Sequence, residues 1–520
     1  MSTATAPRPA GRRYFTPVNI LLLGALLAGG SWLLIRIDTG HRTMAVNSAA
    51  FLTIILLAIW VAFRSGLPAS QRALRLLLLA TPFLLLRIDG CQGDLTPIIV
   101  WRWSQKPDFA LARSIDKPAE STTIAAVDLK HTTEFDYPRF LGSDNRATIT
   151  NVALDPDWTA HPPKELWRHP VGAGWSGFSV VGEFAVTQEQ RGDVEAVICY
   201  HLRTGEPAWM QTNPGRHDTA MGGVGPRATP TIDRGVVYTL GAEGWLQALD
   251  GATGKPIWGR NILKEHDSRI PDWGKSASPL VVDELVITSV GGDNGRAVAA
   301  YQRATGEPVW HAGDESTSYA SPILATLGDT RQIVMLNAAS VTGHDLATGK
   351  VLWRYDWPGL SPKVTQPIAI DDHRLLVGSG YGYGCKLLDI THSGDSWKVD
   401  ELWSSTQLNP KMMNPIVVGE HLYGLDDGVA LACLELATGK RLWKKGRYGH
   451  GQIIRVGELL LVQAETGEVA LVEASPQAFK EVARFKPLVD RTWNNPTLRG
   501  NLLLVRNDIE AACYELPLRK

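Results

Sequence analysis

Two periodicities divide the chain. In its first part the apolar residues come in long unbroken runs: VNILLLGALLAGGSWLLI at 18–35, MAVNSAAFLTIILLAIWVAF at 44–63 and ALRLLLLATPFLLLRI at 73–88. After the stretch FDYPRFLGSDNR at 135–146 they come in short groups punctuated by Gly, Asp and Pro. That second pattern suggests an all-β architecture rather than helices.

The first two runs have the length a helix needs to cross a bilayer core. The third is shorter, contains Pro82, and needs Arg75 and Arg87 to snorkel at its ends. Several runs in succession are unlike a cleavable signal peptide. Arg8, Arg12 and Arg13 precede the first run, and Arg64, Arg72 and Arg75 separate the second from the third. Only Arg36 and Arg42 lie between the first two, so the basic bias holds the N-terminal tail inside. Three spans would then deliver the rest of the chain to the outer side. Two spans followed by a buried or interfacial segment would leave it in the cytoplasm. The expected order is a tail at 1–16, two to three transmembrane helices within 17–91, a polar tether at 92–134, and one large domain over 135–520.

That domain repeats itself. GWLQALDGATGKPIW at 244–258 returns as YHLRTGEPAW, AYQRATGEPVW, HDLATGKVLW and LELATGKRLW, with Thr-Gly at Thr204, Thr253, Thr305, Thr348 and Thr438. Repeats of about 40–50 residues built from strand-like segments mark a β-propeller, one four-stranded sheet per repeat. A tryptophan follows each threonine at the same offset, so chance recurrence of a common turn is excluded. Within a unit, the Asp-x-x-Thr-Gly turn joins strands C and D, with Asp accepting from turn amides and Gly supplying a left-handed conformation. Pro207, Pro256 and Pro308 open strand D and lack an amide donor, which suits an outer edge. The strand-D aromatic position reads Trp167, Trp209, Trp258, Trp310, Trp353, Trp403, Trp443 and Phe485, with the tryptophans wedged between blades. Trp167 lacks strands A to C, whereas 494–515 has them and lacks D. The predicted fold is therefore all-β, an eight-bladed propeller over about 160–517, closed by the KELWRHP segment.

In such a meander the starts of strand A and the B–C turns share one face, opposite the Thr-Gly turns. A second repeat marks that face: Thr229-Pro230, Ser278-Pro279, Ser321-Pro322, Gln366-Pro367, Asn414-Pro415 and Asn495-Pro496. Two residues earlier on the strand stand Trp175, Arg227, Tyr319, His450 and Trp493, predicted to rim the central funnel. Polar groups there would either bind a ligand or hold trapped water. Uneven B–C turns and neighbouring segments add Tyr381, Tyr383, Asp426, Asp427, Arg447, Asn494, Arg506, Asn507 and Asp508. His450 or Asp508 could act as a base, and the indoles could stack on a flat ligand. Asp and Asn in tight turns equally serve to cap the turn itself.

Charge and cysteines narrow the field. With 52 basic and 53 acidic residues, net −1, the chain carries no basic footprint for nucleic acid. Its five cysteines form no CxxC and no adjacent pair, so neither a disulfide framework nor a zinc site is indicated. HExxH, GxSxG and phosphate-loop motifs are absent from the sequence.

The A-x-D-x-x-T-G-K-x-x-W phrase, with GPRATPT, SASPLVV and YASPIL, resembles the repeats of PQQ-like (quinoprotein-like) propellers. The resemblance covers most of 135–517 and implies one of two functions. One is a cofactor-free binding or scaffolding module for a protein or glycan on the funnel face, as in the outer-membrane assembly lipoproteins. The other is a dehydrogenase of alcohols or sugars using PQQ with Ca2+ and feeding electrons to membrane quinone. Quinoprotein alcohol dehydrogenases carry adjacent cysteines under the cofactor, which this chain lacks. Membrane-anchored quinoprotein glucose dehydrogenase shares the layout and does not need them. Compact blades with few long inserts favour the scaffold, without metal or cofactor, anchored in a bacterial inner membrane with its propeller in the periplasm.

Overall fold

The computed structural model describes residues 16–34, 39–113, 126–292, 296–316, 318–359 and 361–519. Arg8, Arg12, Arg13 and Arg36, used above to orient the chain, lie outside them. The chain forms two compact bodies, divided between Ser104 and Gln105.

In the first body the apolar runs are helices Pro17–Leu34, Thr39–Phe63 and Ala69–Leu85. The first two are long and apolar enough to cross a membrane. Gly24 lets them approach closely, since a Cβ there would strike the Thr53 side chain. The third helix has 17 residues with Pro82 inside it, and gives way to a hairpin, Leu86–Cys91 with Pro97–Trp101.

The second body is a closed ring of eight sheets, each of the order A-B-C-D. Blade 1 spans Ser179–Pro214, and blades 2 to 7 follow in order: Thr231–Asn261, Leu280–Ala312, Ile323–Asp356, Ile368–Ser405, Ile416–Lys445 and Gln452–Phe485. Blade 8 takes strands A to C from Thr497–Glu515 and strand D from Lys164–Pro170, with Trp167 opposite Cys513. The front of the propeller thus closes onto its end. Strands B and C are buried on both faces, as Leu459–Gln463 is along its whole length, because each blade packs between two others. Strand D lies outermost and buries only its tryptophan, as in Pro256–Asn261.

Geometry explains why the Thr-Gly turn and the tryptophan recur together. They meet between blades rather than within one. Trp209 donates to the Gly251 carbonyl of the next blade (2.9 Å), Trp258 to Arg303 (2.8 Å) and Trp403 to Leu436 (2.9 Å). Trp167, Trp209, Trp258, Trp310 and Trp403 each lie on the next blade's turn glycine: a Cβ at Gly306 would sit 2.6 Å from the Trp258 ring. That glycine has φ +73°, a left-handed conformation that disfavours side chains. The turn aspartate caps as expected, Asp250 accepting from the Thr253 amide and hydroxyl at 2.9 and 2.6 Å.

The exceptions obey the same rule. Blade 5 has a long C–D hairpin without Thr-Gly, and Trp353 of blade 4 donates instead to Gln332 of its own blade. Blade 8 has no C–D turn, because its strand D comes from elsewhere in the chain. Blade 7 correspondingly has no tryptophan in the slot. Its register places Ala483 opposite Leu471, where the other blades put Trp, so Phe485 does not occupy the equivalent position. Phe485 lies two residues on, edge to face with Trp158 at 5.2 Å.

The second repeat is also structural. At four places around the inner ring the side chain accepts the amide of the preceding unit: Gly177 to Thr229 (3.1 Å), Thr229 to Ser278 (3.0 Å), Ser278 to Ser321 (2.8 Å) and Gln366 to Asn414 (2.6 Å). On the Thr-Gly face a strap crosses the axis. Tyr137 bridges Val180 of blade 1, and the Pro138 carbonyl accepts the Ile232 amide of blade 2 (2.8 Å). Arg146 then reaches the Ala369 carbonyl of blade 5 (2.9 Å), and Thr148–Ile149 joins blade 7 as a parallel fifth strand. The strap covers that end of the channel, and a cavity lined by Leu141, Arg146, Ile368 and Pro415 lies beside it.

Candidate functional site

The funnel face is built from the starts of strand A, the connections that precede them, and the B–C turns. Trp175 and Trp493, both expected at the rim, meet where blades 8 and 1 join, with ring centroids 4.8 Å apart and planes at 46°. Arg491 covers both, its guanidinium 4.7 Å from the Trp175 ring and 4.6 Å from the Trp493 ring. Asp508 pairs with Arg491 at 3.0 Å.

On the other side of Trp493 stands Glu465, which accepts from the indole Nε1 (2.8 Å), the His450 amide (2.9 Å) and His450 Nδ1 (3.1 Å). Burial works to raise the carboxyl's pKa, but the bonds from His450 and Trp493 outweigh it and hold it at about 2. The two candidate bases therefore lie at the ends of one chain of contacts: His450, Glu465, Trp493, Arg491, Asp508. His450 is buried, and its Nε2 packs against Gly428 without a hydrogen-bond partner. A general base must reach a substrate proton; this imidazole instead orients Glu465.

Two further aromatic groups line the rim. Arg227 donates to the carbonyls of Gly222 (2.6 Å), Gly223 (3.0 Å) and Gly225, fixing the 215–226 loop; burial lowers its pKa to about 10. Trp175 Nε1 holds the same loop through Gly222 (2.7 Å). Tyr319 meets Trp273 edge to face at 5.2 Å, and burial raises its hydroxyl to about 12. In blade 5's B–C turn, Tyr381 (φ +60°) lies under the Lys411 ammonium at 4.7 Å, and Tyr383 beside that of Lys363 at 5.4 Å.

Other predicted positions are drawn into the scaffold. Arg506 is fully buried, donating to Thr187 Oγ1 (2.8 Å) and to the carbonyls of Gln188 (3.0 Å) and Gly172 (2.8 Å). It clasps blade 8 to blade 1, and burial lowers its pKa. Asn494 does the same through the Gly174 and Ser176 carbonyls (3.0 and 2.8 Å). Asn507 caps its own turn, accepting from the Ile509 and Glu510 amides. Asp426 accepts from the Asn409 amide (2.8 Å) and Lys444 (2.6 Å), tying blades 5 and 6. Asp427 takes the left-handed turn position at φ +51°. Arg447 is exposed.

Sequence reasoning missed Arg491, Glu465, Lys363 and Lys411. A signal existed for the lysines: Lys275, Lys363 and Lys411 each precede a strand-A proline in KSASP, KVTQP and KMMNP. It also missed Glu195, buried between blades 1 and 2, where burial first and the nearby Glu243 raise its pKa to about 7, against the pull of the Ala242 amide at 2.9 Å.

A family profile described as outer membrane protein assembly factor BamB matches residues 158–265 and 216–445, more than half of the chain. The chain belongs to this family. Among curated BamB proteins, that of Shewanella oneidensis is 23% identical over 291 residues, 54% of this chain and 71% of the relative. That of Burkholderia pseudomallei is 24% identical over 361 residues, 66% of this chain and 85% of the relative. In fold, the chain is also similar to a quinohemoprotein alcohol dehydrogenase from Comamonas testosteroni, with a TM-score of 0.55 at 13% identity, covering 74% of this chain and 81% of that one. The PQQ-like propeller expected from the repeats is thus the fold of this BamB-family chain.

Proposed function

We propose that the propeller is a binding scaffold, anchored in the inner membrane by all three helices so that the propeller lies on the periplasmic side, that holds a protein partner on its funnel face and works without a quinone cofactor. The observation that carries this reading is the state of the aromatic rim. A flat quinone needs an open ring to stack on, and the paired faces of Trp175 and Trp493 are covered by Arg491. A calcium ion bound beside such a quinone needs free carboxylate oxygens. Both oxygens of Glu465 are engaged by His450 and Trp493, and Asp426 is engaged by Asn409 and Lys444. These engagements speak against PQQ with Ca2+ at this rim. Aromatic groups held rigid by cations, with exposed Met221 and Arg447 nearby, suit the centre of a protein interface. Membership of a family named for outer membrane assembly gives the same direction.

The test is photo-crosslinking in cells from probes at positions 221 and 447, with position 394 on the opposite face as control. Defined protein adducts from the funnel-face probes alone are expected. A visible-band shift with PQQ and Ca2+, with oxidation of an alcohol or sugar, would overturn the reading. So would a melting temperature raised by the quinone, because a ligand that binds the folded state stabilises it.

A further inference from the structure

The hairpin that follows the third helix has two unlike faces. Leu86 pairs with Trp101 and Ile88 with Ile99, so these four side chains share one face. Arg87 pairs with Val100 on the other face, where Arg87 and Asp89 form an ion pair at 3.2 Å. The apolar face is open: Ile88 and Ile99 are each 58% exposed and Trp101 is 52% exposed. Trp103 extends it, stacked on Trp101 at 5.2 Å with planes 14° apart and 66% exposed.

An isolated two-stranded hairpin is marginal in water, and this one is bolted to the helix. Arg102 donates to the carbonyls of Leu84 (3.2 Å) and Phe83 (2.7 Å), and its amide to Leu85 (2.8 Å). These are last-turn carbonyls that a helix leaves unpaired. The helix itself buries no residue in the structure, and Leu84 is 58% exposed. Exposed apolar side chains therefore lie on both the helix and the hairpin, on either side of the Arg102 contacts that join them.

We propose that the Leu86–Trp101 hairpin is an interfacial membrane element, lying at headgroup level with Ile88, Ile99 and the Trp101–Trp103 pair in the lipid and the Arg87–Asp89 pair in water. Three observations select a bilayer as the occupant. The exposed face is bonded directly to the end of an apolar helix, which follows two helices of membrane-spanning length. Tryptophans concentrate at the membrane–water boundary, where an amphipathic ring meets both media. The division into an apolar and an ion-paired face follows the polarity gradient across that boundary.

Cys91, at the end of the first hairpin strand, makes a test practical, because the other four cysteines are buried. In the full chain carrying Cys91→Ser, Ile99→Cys or Val100→Cys receives a bimane probe, and the protein is reconstituted in phosphatidylethanolamine–phosphatidylglycerol vesicles. Lipid-borne nitroxide should quench the probe at 99 severalfold more than the probe at 100, and aqueous iodide should show the reverse order. Adding Trp101→Ser with Trp103→Ser should bring the lipid quenching at 99 down toward that at 100, with propeller melting unchanged as the check on folding. Equal quenching of both probes by iodide overturns the proposal. Protection of position 99 from both quenchers also overturns it, and assigns the face to a protein partner or a second copy.

Discussion

The two faces of the propeller obey different rules. On the Thr-Gly face five of the eight joints are made from the same pair of parts, an indole and a left-handed glycine of the next blade. On the funnel face the equivalent rim positions hold Trp175, Arg227, Tyr319, His450 and Trp493, joined by contacts that differ from one place to the next. A position that must dock on a copy of itself is held to one solution. A position facing the axis answers only to its local neighbours and to whatever it binds, and is free to diversify.

The sharpest way to break this contrast is at the joint. Trp258→Ala should cost about 3–5 kcal/mol, read from urea unfolding, because it removes a buried indole and its bond to Arg303. Gly306→Val should be comparably harmful, since its side chain meets the same indole. Gly394→Ala, at φ +60° with open space around it, should cost only the backbone strain of about 1–2 kcal/mol. Equal losses at Gly306 and Gly394 would show that the joint contributes nothing.

Next come two glutamates of the funnel face, Glu195 buried and Glu465 partly buried, shifted in opposite directions. Glu195 has its folded pKa raised from 4.5 to about 7. Its contribution is complete below pH 4.5 and is lost as pH rises through 7, and Glu195→Gln should flatten that slope, by up to about 3 kcal/mol. Glu465 has its pKa lowered to about 2, so its contribution is complete above 4.5 and is lost as pH falls toward 2. Glu465→Gln should remove the acid limb and leave the neutral one. Unfolding titrations of both variants across pH check the two signs together.

Smaller still is Arg491→Ala, expected to cost about 1–2 kcal/mol in thermal melts through loss of its stacking on two indoles. It should also change the near-ultraviolet dichroism of the tryptophans and weaken partner crosslinking at position 221. Smallest is Met221→Ser on the exposed loop, expected within about 0.5 kcal/mol of the parent in stability. A large loss there would mean that the 215–226 loop is part of the scaffold.

The blades were legible because a repeat multiplies its own signal. The tryptophans, the turn glycines and the strand-A prolines predicted eight sheets and the closing strand at Trp167, and the register agrees. The misassigned Phe485 shows the limit of that reading. Spacing alone could not reveal that blade 7 faces a blade without a C–D turn, and so has no glycine for an indole to cover. The candidate site was legible as a set of residues on one face, but not as an arrangement. Trp175 and Trp493 stand more than three hundred positions apart in sequence and touch only because the ring closes.

By itself the sequence determined what depends on local period and on repetition: apolar runs that form helices, short strands, turn chemistry and the number of blades. Only the tertiary structure decided which polar groups became joints and which stayed on the rim. Arg506, Asn494 and Arg491 are similar in kind along the chain, yet Arg506 and Asn494 each clasp backbone carbonyls and Arg491 lies over two indoles. The physical reason is that a side chain's role follows from the neighbours that desolvate and satisfy it, and in a closed ring many of those neighbours come from remote parts of the chain.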